Sequence, residues 1–236
     1  MAGYVDFQTR AAAHASVNER AEFLRLTYLH LAGAVLLTTA VAYGLVNSAF
    51  APWMLTKLAG SQFSWLVVLG LFGVVSFVAQ RWAAQPTNQA MQYVGLGLYA
   101  VAEAVIFVPL LFIAAFYSDP KVLPTAAVMT LVVFGGLTAS VFITKKDFSF
   151  MGRALQLAGF AAFGIIVAAI LFGFSLGTLF AGAMILLMSG YILYYTSNVL
   201  HHYPVGAHVA AALALYSALA TLFWYVLRFT MGGDRD

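Results

Sequence analysis

Glu103 is the residue in this chain whose position most needs a chemical explanation. It stands near the middle of an apolar stretch, Tyr93–Phe116, with Pro109 six residues later. If that stretch crosses a bilayer, a carboxylate at its centre costs on the order of 2.5–3.5 kcal/mol on insertion scales and is rare without a reason. Two readings stand open. One is an ion- or proton-handling group facing a polar cavity; the other is a protonated or hydrogen-bonded structural carboxyl between helices. His30 and Arg81 are its candidate partners, and Pro109, which breaks the backbone ladder locally, fits either reading.

A second constellation is polar and aromatic. Tyr191, Tyr194, Tyr195 and Asn198 recur at i, i+3, i+4 and i+7 and so share one helical face. That face lines a wet cavity or forms a tyrosine belt at a membrane–water interface. His201, His202 and His208 flank Pro204. Adjacent side chains on a helix point apart and no carboxylate or Cys completes a ligand set, so a metal site is the weaker reading. A pH-sensitive loop or ordinary interfacial histidines are the stronger ones.

Enzyme templates each lack a required residue. Ser189-Gly190 faintly resembles an intramembrane serine protease, but Leu187 stands where the G-x-S-G turn needs glycine. No H-E-x-x-H helix occurs, and no lysine in the last apolar stretch could form a retinal Schiff base. With no cysteine in the chain, thiolate catalysis and Cys-based metal or cluster sites are excluded. A non-enzyme without a cofactor is expected.

These residues must be positioned by elements suited to lipid. Of 236 residues, 63% are hydrophobic and 8% charged, against about 25% charged in a soluble domain. So few charges cannot cover a globular surface in water. About 20 apolar residues cross a bilayer once, and seven stretches are long enough: Leu26–Val46, Phe63–Ala79, Tyr93–Phe116, Leu123–Thr144, Leu155–Phe174, Leu176–Leu200 and Val209–Leu227. The fold class expected is an all-α integral membrane protein, a seven-transmembrane-helix bundle. Residues 1–22 read as an N-terminal tail and helix start, 23–230 as the membrane domain and 231–236 as a C-terminal tail. The net charge of +3 is too small and scattered for a nucleic-acid surface, so the expected partner is the bilayer.

Local signals add detail. Ser16-Val17-Asn18-Glu19 fits a capping box, so a helix starts near Ser16; the residues before it read as a mobile tail. No cleavable signal is expected, because the first apolar run is late, long and without a small-residue cleavage site. Turn formers fill the connections: 47–61 with Pro52, Gln85-Pro86-Thr87-Asn88, Ser118-Asp119-Pro120, Gly173–Gly177 and Pro204-Val205-Gly206. Small residues at helical spacing (Ala210, Ala214 and Ala218; Ala158 and Ala162; Gly135, Gly136 and Ala139) are expected where helices pack closely. Counting Lys and Arg gives an orientation. With the N-terminus in the cytoplasm, seven (Arg10, Arg20, Arg25, Arg81, Lys145, Lys146, Arg153) lie inside and four (Lys57, Lys121, Arg228, Arg235) outside.

The stretch Phe134–Gly152 runs from apolar helix directly into Lys145-Lys146-Asp147 and an aromatic exit, as a span does where it meets an anionic inner surface. Its string Phe142-Ile143-Thr144-Lys145-Lys146-Asp147-Phe148-Ser149-Phe150-Met151-Gly152 closely resembles the signature of the Bax inhibitor-1 family. Leu24–Gly33 looks like that family's first span, and Ala211–Tyr216 with Leu222-Phe223 like its last. The resemblance extends from about Phe23 to Phe229. It implies a seven-helix fold with the seventh helix inside the bundle, and, for well-behaved members, a pH-sensitive calcium leak. It further implies cell-protective roles in eukaryotes, and in bacteria residence in the inner membrane with association with the membrane-anchored protease FtsH. Calcium or protons and a membrane protease are therefore the partners the likeness suggests.

The family's leak is tied to two aspartates, in the sixth and seventh helices, that share a proton. Two carboxylates in contact cannot both ionise cheaply, so their pairing becomes a pH switch. Here Tyr195 stands at the first position, in Tyr194-Tyr195-Thr196, and Ala218 at the second, in Leu215-Tyr216-Ser217-Ala218. A tyrosine, titrating near ~10, and an alanine supply no switch around neutrality. Losing both carboxylates together leaves no unpaired buried charge, so a stable bundle is still expected. If ions pass, Glu103 and the face made by Tyr191, Tyr195 and Asn198 are the remaining candidates for their path.

Overall fold

Among the described residues the chain forms eight α-helices, seven of them long and apolar enough to cross a membrane. The computed structural model describes residues 11–61, 63–85 and 87–233; the expectations for the first ten residues, for Pro86 and for the extreme C-terminus fall outside them. The helices are α1 (Val17–Val46), α2 (Phe50–Ala59), α3 (Phe63–Ala83), α4 (Gln89–Phe116), α5 (Val122–Thr144), α6 (Gly152–Phe172), α7 (Thr178–His201) and α8 (His208–Gly233). Among the described residues there is no strand, only an isolated bridge between Ala11 and Pro204. The start of α1 and the turns after α3, α5 and α7 lie at one end of the bundle, the proximal end. The turns after α4 and α6 and the segment holding α2 lie at the distal end.

The seven spans coincide with the seven apolar stretches. α1 opens with the expected capping box: the Ser16 side chain accepts from the Glu19 amide, and the Glu19 carboxylate accepts from the Ser16 amide at 2.9 Å. Two corrections concern what lies between spans. The 47–61 connection holds a helix, α2, with Pro52 in its first turn, where a missing amide costs nothing. And residues 11–15, read as part of a mobile tail, are docked. Ala12 is fully buried and donates its amide to the Tyr203 carbonyl at 2.9 Å, pinning the N-terminal segment to the α7–α8 turn.

α8 is the axis of the bundle. It packs against α7, α1, α5 and α4, and two-thirds of its spanning window is buried, against 6% for α3. An apolar helix can sit at either place, because lipid and protein interior are both apolar; side-chain volume and close approach decide which. The tightest approach is between α3 and α4. A Cβ built on Gly95 would lie 2.6 Å from the Ala79 carbonyl oxygen and 2.7 Å from the Ala83 amide nitrogen. The expected small-residue stripes fare unevenly. Ala162 and Ala218 are buried, whereas Gly135, Gly136 and Ala139 are exposed and a Cβ on either glycine would meet nothing within 4 Å. That stripe faces outward, so its smallness serves no helix contact.

Candidate functional site

The signature at the end of α5 forms a clasp. Lys145 ends the helix in the left-handed region, φ 52°, donating its amide to the Val141 carbonyl at 2.8 Å. This turn carries Asp147 to the last turn of α7. There Asp147 Oδ1 accepts from the Ser149 amide at 2.8 Å and from Ser197 Oγ at 3.1 Å, and Oδ2 lies 2.8 Å from His202 Nε2. Ser197 Oγ in turn accepts from the Phe148 amide at 2.8 Å. The Ser149 amide above all, with His202 and Ser197 behind it, holds the Asp147 carboxyl well below the usual carboxylate range. Lys145 and Lys146 stay exposed beside the clasp, as does the Phe150 ring, at 78%.

The tyrosine face packs, for the most part, onto α6. Tyr191 Oη donates to the Leu155 carbonyl at 2.9 Å, and the Tyr194 ring lies over Gly152, where a Cβ would come within 2.9 Å of it. Tyr191 and Tyr195 stack with centroids 5.6 Å apart. The face is therefore a helix-packing surface more than an interfacial belt. Asn198 accepts, through its backbone carbonyl, the His202 and Tyr203 amides that close α7. Tyr195 and Ala218 belong to one apolar cluster to which both α7 and α8 contribute: Ala218 is buried within it and Tyr195 packs against its margin.

The three histidines point to three places. His202 joins the clasp; His208 is buried, its ring 5.1 Å from that of His30; His201 turns a buried Nε2 elsewhere. Ser189 donates its hydroxyl to the Ile185 carbonyl of its own helix at 2.8 Å.

Glu103 sits halfway along α4, 4% exposed, and its Oε2 is buried with no hydrogen-bond partner. The candidate partners are engaged elsewhere: His30 Nδ1 donates to the Leu26 carbonyl at 2.6 Å, and Arg81 lies over the Phe77 ring, 5.1 Å from its centre. Glu103 instead lines a cavity of about 670 Å³ bounded by α2, α3, α4, α6 and α8 and running towards the distal end. Beside it, Tyr216 donates to Thr38 Oγ1, which donates to the Ala100 carbonyl at 3.0 Å, tying α8, α1 and α4 together at mid-bundle. Sequence reasoning missed Thr38; a lone threonine in an apolar stretch carries no signal of its partner.

Comparison with known proteins gives a consistent outcome. A family model described as "Inhibitor of apoptosis-promoting Bax1" matches residues 20–236. Bax inhibitor 1 of Schizosaccharomyces pombe is 28% identical over 227 residues, 93% of this chain and 80% of that protein. Protein lifeguard 4 of Mus musculus is 28% identical over 225 residues, 92% of this chain and 87% of that protein. An uncharacterized membrane protein of Vibrio cholerae is 30% identical over 190 residues, 78% and 81% respectively.

Proposed function

Since the chain belongs to the Bax inhibitor-1 family, we propose that it is an ion-homeostasis protein of a bacterial inner membrane, a calcium or cation leak that lacks the family's paired-aspartate pH sensor. The observation that carries this reading is Glu103. It is a mid-membrane carboxyl that lines a cavity and keeps one oxygen, Oε2, buried without a partner, and such a group is costly to keep without use. Tyr195 and Ala218 leave no proton-sharing pair to gate it. The test is calcium flux through the purified protein in liposomes. Glu103→Gln removes the charge at nearly constant shape and is expected to reduce flux at least tenfold. Equal flux from both proteins would remove Glu103 from the path.

A second reading is a regulator that transports nothing and binds a membrane protease such as FtsH. The exposed Lys145, Lys146 and Phe150 beside the clasp favour it, since they offer charge and an aromatic anchor at one end of the bundle. Co-purification of the protease with the wild type but not with a Lys145→Glu/Lys146→Glu variant is the outcome this reading expects.

A further inference from the structure

The cavity in front of Glu103 has a composition that a leak alone does not explain. Its walls are aromatic and aliphatic. Trp65 and Phe72 come from α3, Phe107 from one turn along α4 and Trp224 from α8. The Phe107 and Trp224 rings lie 5.4 Å apart. Apart from Glu103, the only side-chain oxygens among its lining residues are those of Thr221, whose hydroxyl donates to the Ser217 carbonyl at 2.8 Å, and Tyr225. A small metal ion stripped of its water needs about six or more oxygen ligands and finds one carboxyl here, so such an ion would pass hydrated and would not be held. The volume, about 670 Å³, matches a site for a small organic molecule, roughly 300–1,000 Å³.

Charge and access narrow the class further. One carboxyl group set among faces of Trp and Phe suits a cation whose charge is spread over an apolar body, because ring quadrupoles attract it and the carboxyl, ionised by the cation's arrival, neutralises it. Arg228 stands at the distal mouth, its Nη2 donating to the Leu176 carbonyl at 3.1 Å. A cation arriving from water on that side meets this like charge first. The lateral side differs: α3 and α6 touch only weakly, and both line the cavity. A hydrophobic cation already dissolved in the bilayer enters there. Glu103, which lines the cavity, is the carboxyl it would meet; Tyr99 and Tyr216 are the titratable neighbours within electrostatic reach.

We propose that Glu103 and its aromatic cavity form a binding site for a hydrophobic organic monocation that enters sideways from the membrane. The inference goes beyond the leak reading and does not depend on it, since binding and flux are scored separately. The experiment is equilibrium binding of tetraphenylphosphonium to the full-length protein in lipid nanodiscs. Saturable binding at one per protein is expected, weakened at least tenfold by Glu103→Gln and restored to within threefold by Glu103→Asp. A neutral tetraphenyl analogue is expected not to saturate. Absence of saturable binding by the wild type, equal binding by a folded Glu103→Gln variant, or equal uptake of the neutral analogue each overturns the proposal. Should Glu103→Gln fail to fold, the wild-type comparison of charged and neutral probes decides alone.

Discussion

Asp147 connects two segments that lie fifty residues apart, and its chemistry makes a pH-dependent prediction. Its carboxylate gathers the Ser149 amide, the Ser197 hydroxyl and the His202 imidazole, all of which favour the ionised form. A depressed carboxyl contributes stability above the unfolded value, near ~3.9, and loses it as pH falls towards the folded one. In a His202→Gln background, where the imidazole cannot titrate alongside it, adding Asp147→Asn should cost about 1 kcal/mol from pH 7 down to pH 5. This is the low end for charge-assisted bonds, because the group is half exposed. Below about pH 4 the difference should begin to shrink, and it should vanish only as the pH reaches the depressed folded value, as read from melting temperatures in detergent. A difference that grows on acidification would contradict the assignment. The Lys145-Lys146-Asp147 string was legible as a signature, yet its partners were not. A hydrogen bond across fifty residues leaves no trace in local pattern, and Ser197 looked like any helical serine. Glu103 was legible for the opposite reason, since a lone carboxylate in an apolar run needs no partner to be noticed.

Elements were legible where hydrophobicity alone decides and obscure where fit decides. The seven spans and the Ser16–Glu19 cap follow from run length and from two residue types at fixed spacing. Which helix lies at the centre does not, because α3 and α8 are similarly apolar while one faces lipid and the other the core. The likeness to a known family supplied that. Small-residue spacing misled at Gly135 and Gly136, which face outward, and gave no warning of Gly95, where α3 and α4 meet backbone to backbone. The two kinds of glycine separate experimentally. Gly95→Ala should destabilise by roughly 1–3 kcal/mol, since rigid backbone cannot yield to the new methyl. Gly135→Ala should be neutral or stabilising by up to about 1 kcal/mol, because it fills open space and lowers unfolded-chain entropy. Thermal melts of the two variants in the same detergent check both. Equal losses would mean that the α3–α4 contact is not tight.

For the whole molecule, the absence of cysteine makes orientation directly measurable. Among the described residues, six Lys and Arg towards the proximal end against three towards the distal end predict a cytoplasmic N-terminus. A single cysteine replacing Lys146 should then react with a membrane-impermeant maleimide only from the cytoplasmic side, and one replacing Lys57 only from the opposite side. The reversed pattern would invert the topology. α8 is buried among α1, α4, α5 and α7, as the family resemblance leads one to expect, and tyrosine and alanine occupy the two positions where that resemblance places the proton-sharing aspartates. An apolar, well-packed α7–α8 contact explains why the fold persists without the pair. The central claim is that this scaffold has lost its pH switch. Calcium flux in liposomes at pH 6 and pH 8, for the unaltered protein beside a Tyr195→Asp/Ala218→Asp variant, tests it most directly. The account predicts that the unaltered protein's flux does not switch between the two pH values and that the double variant's does. A sharp switch near neutral pH in the unaltered protein would contradict it.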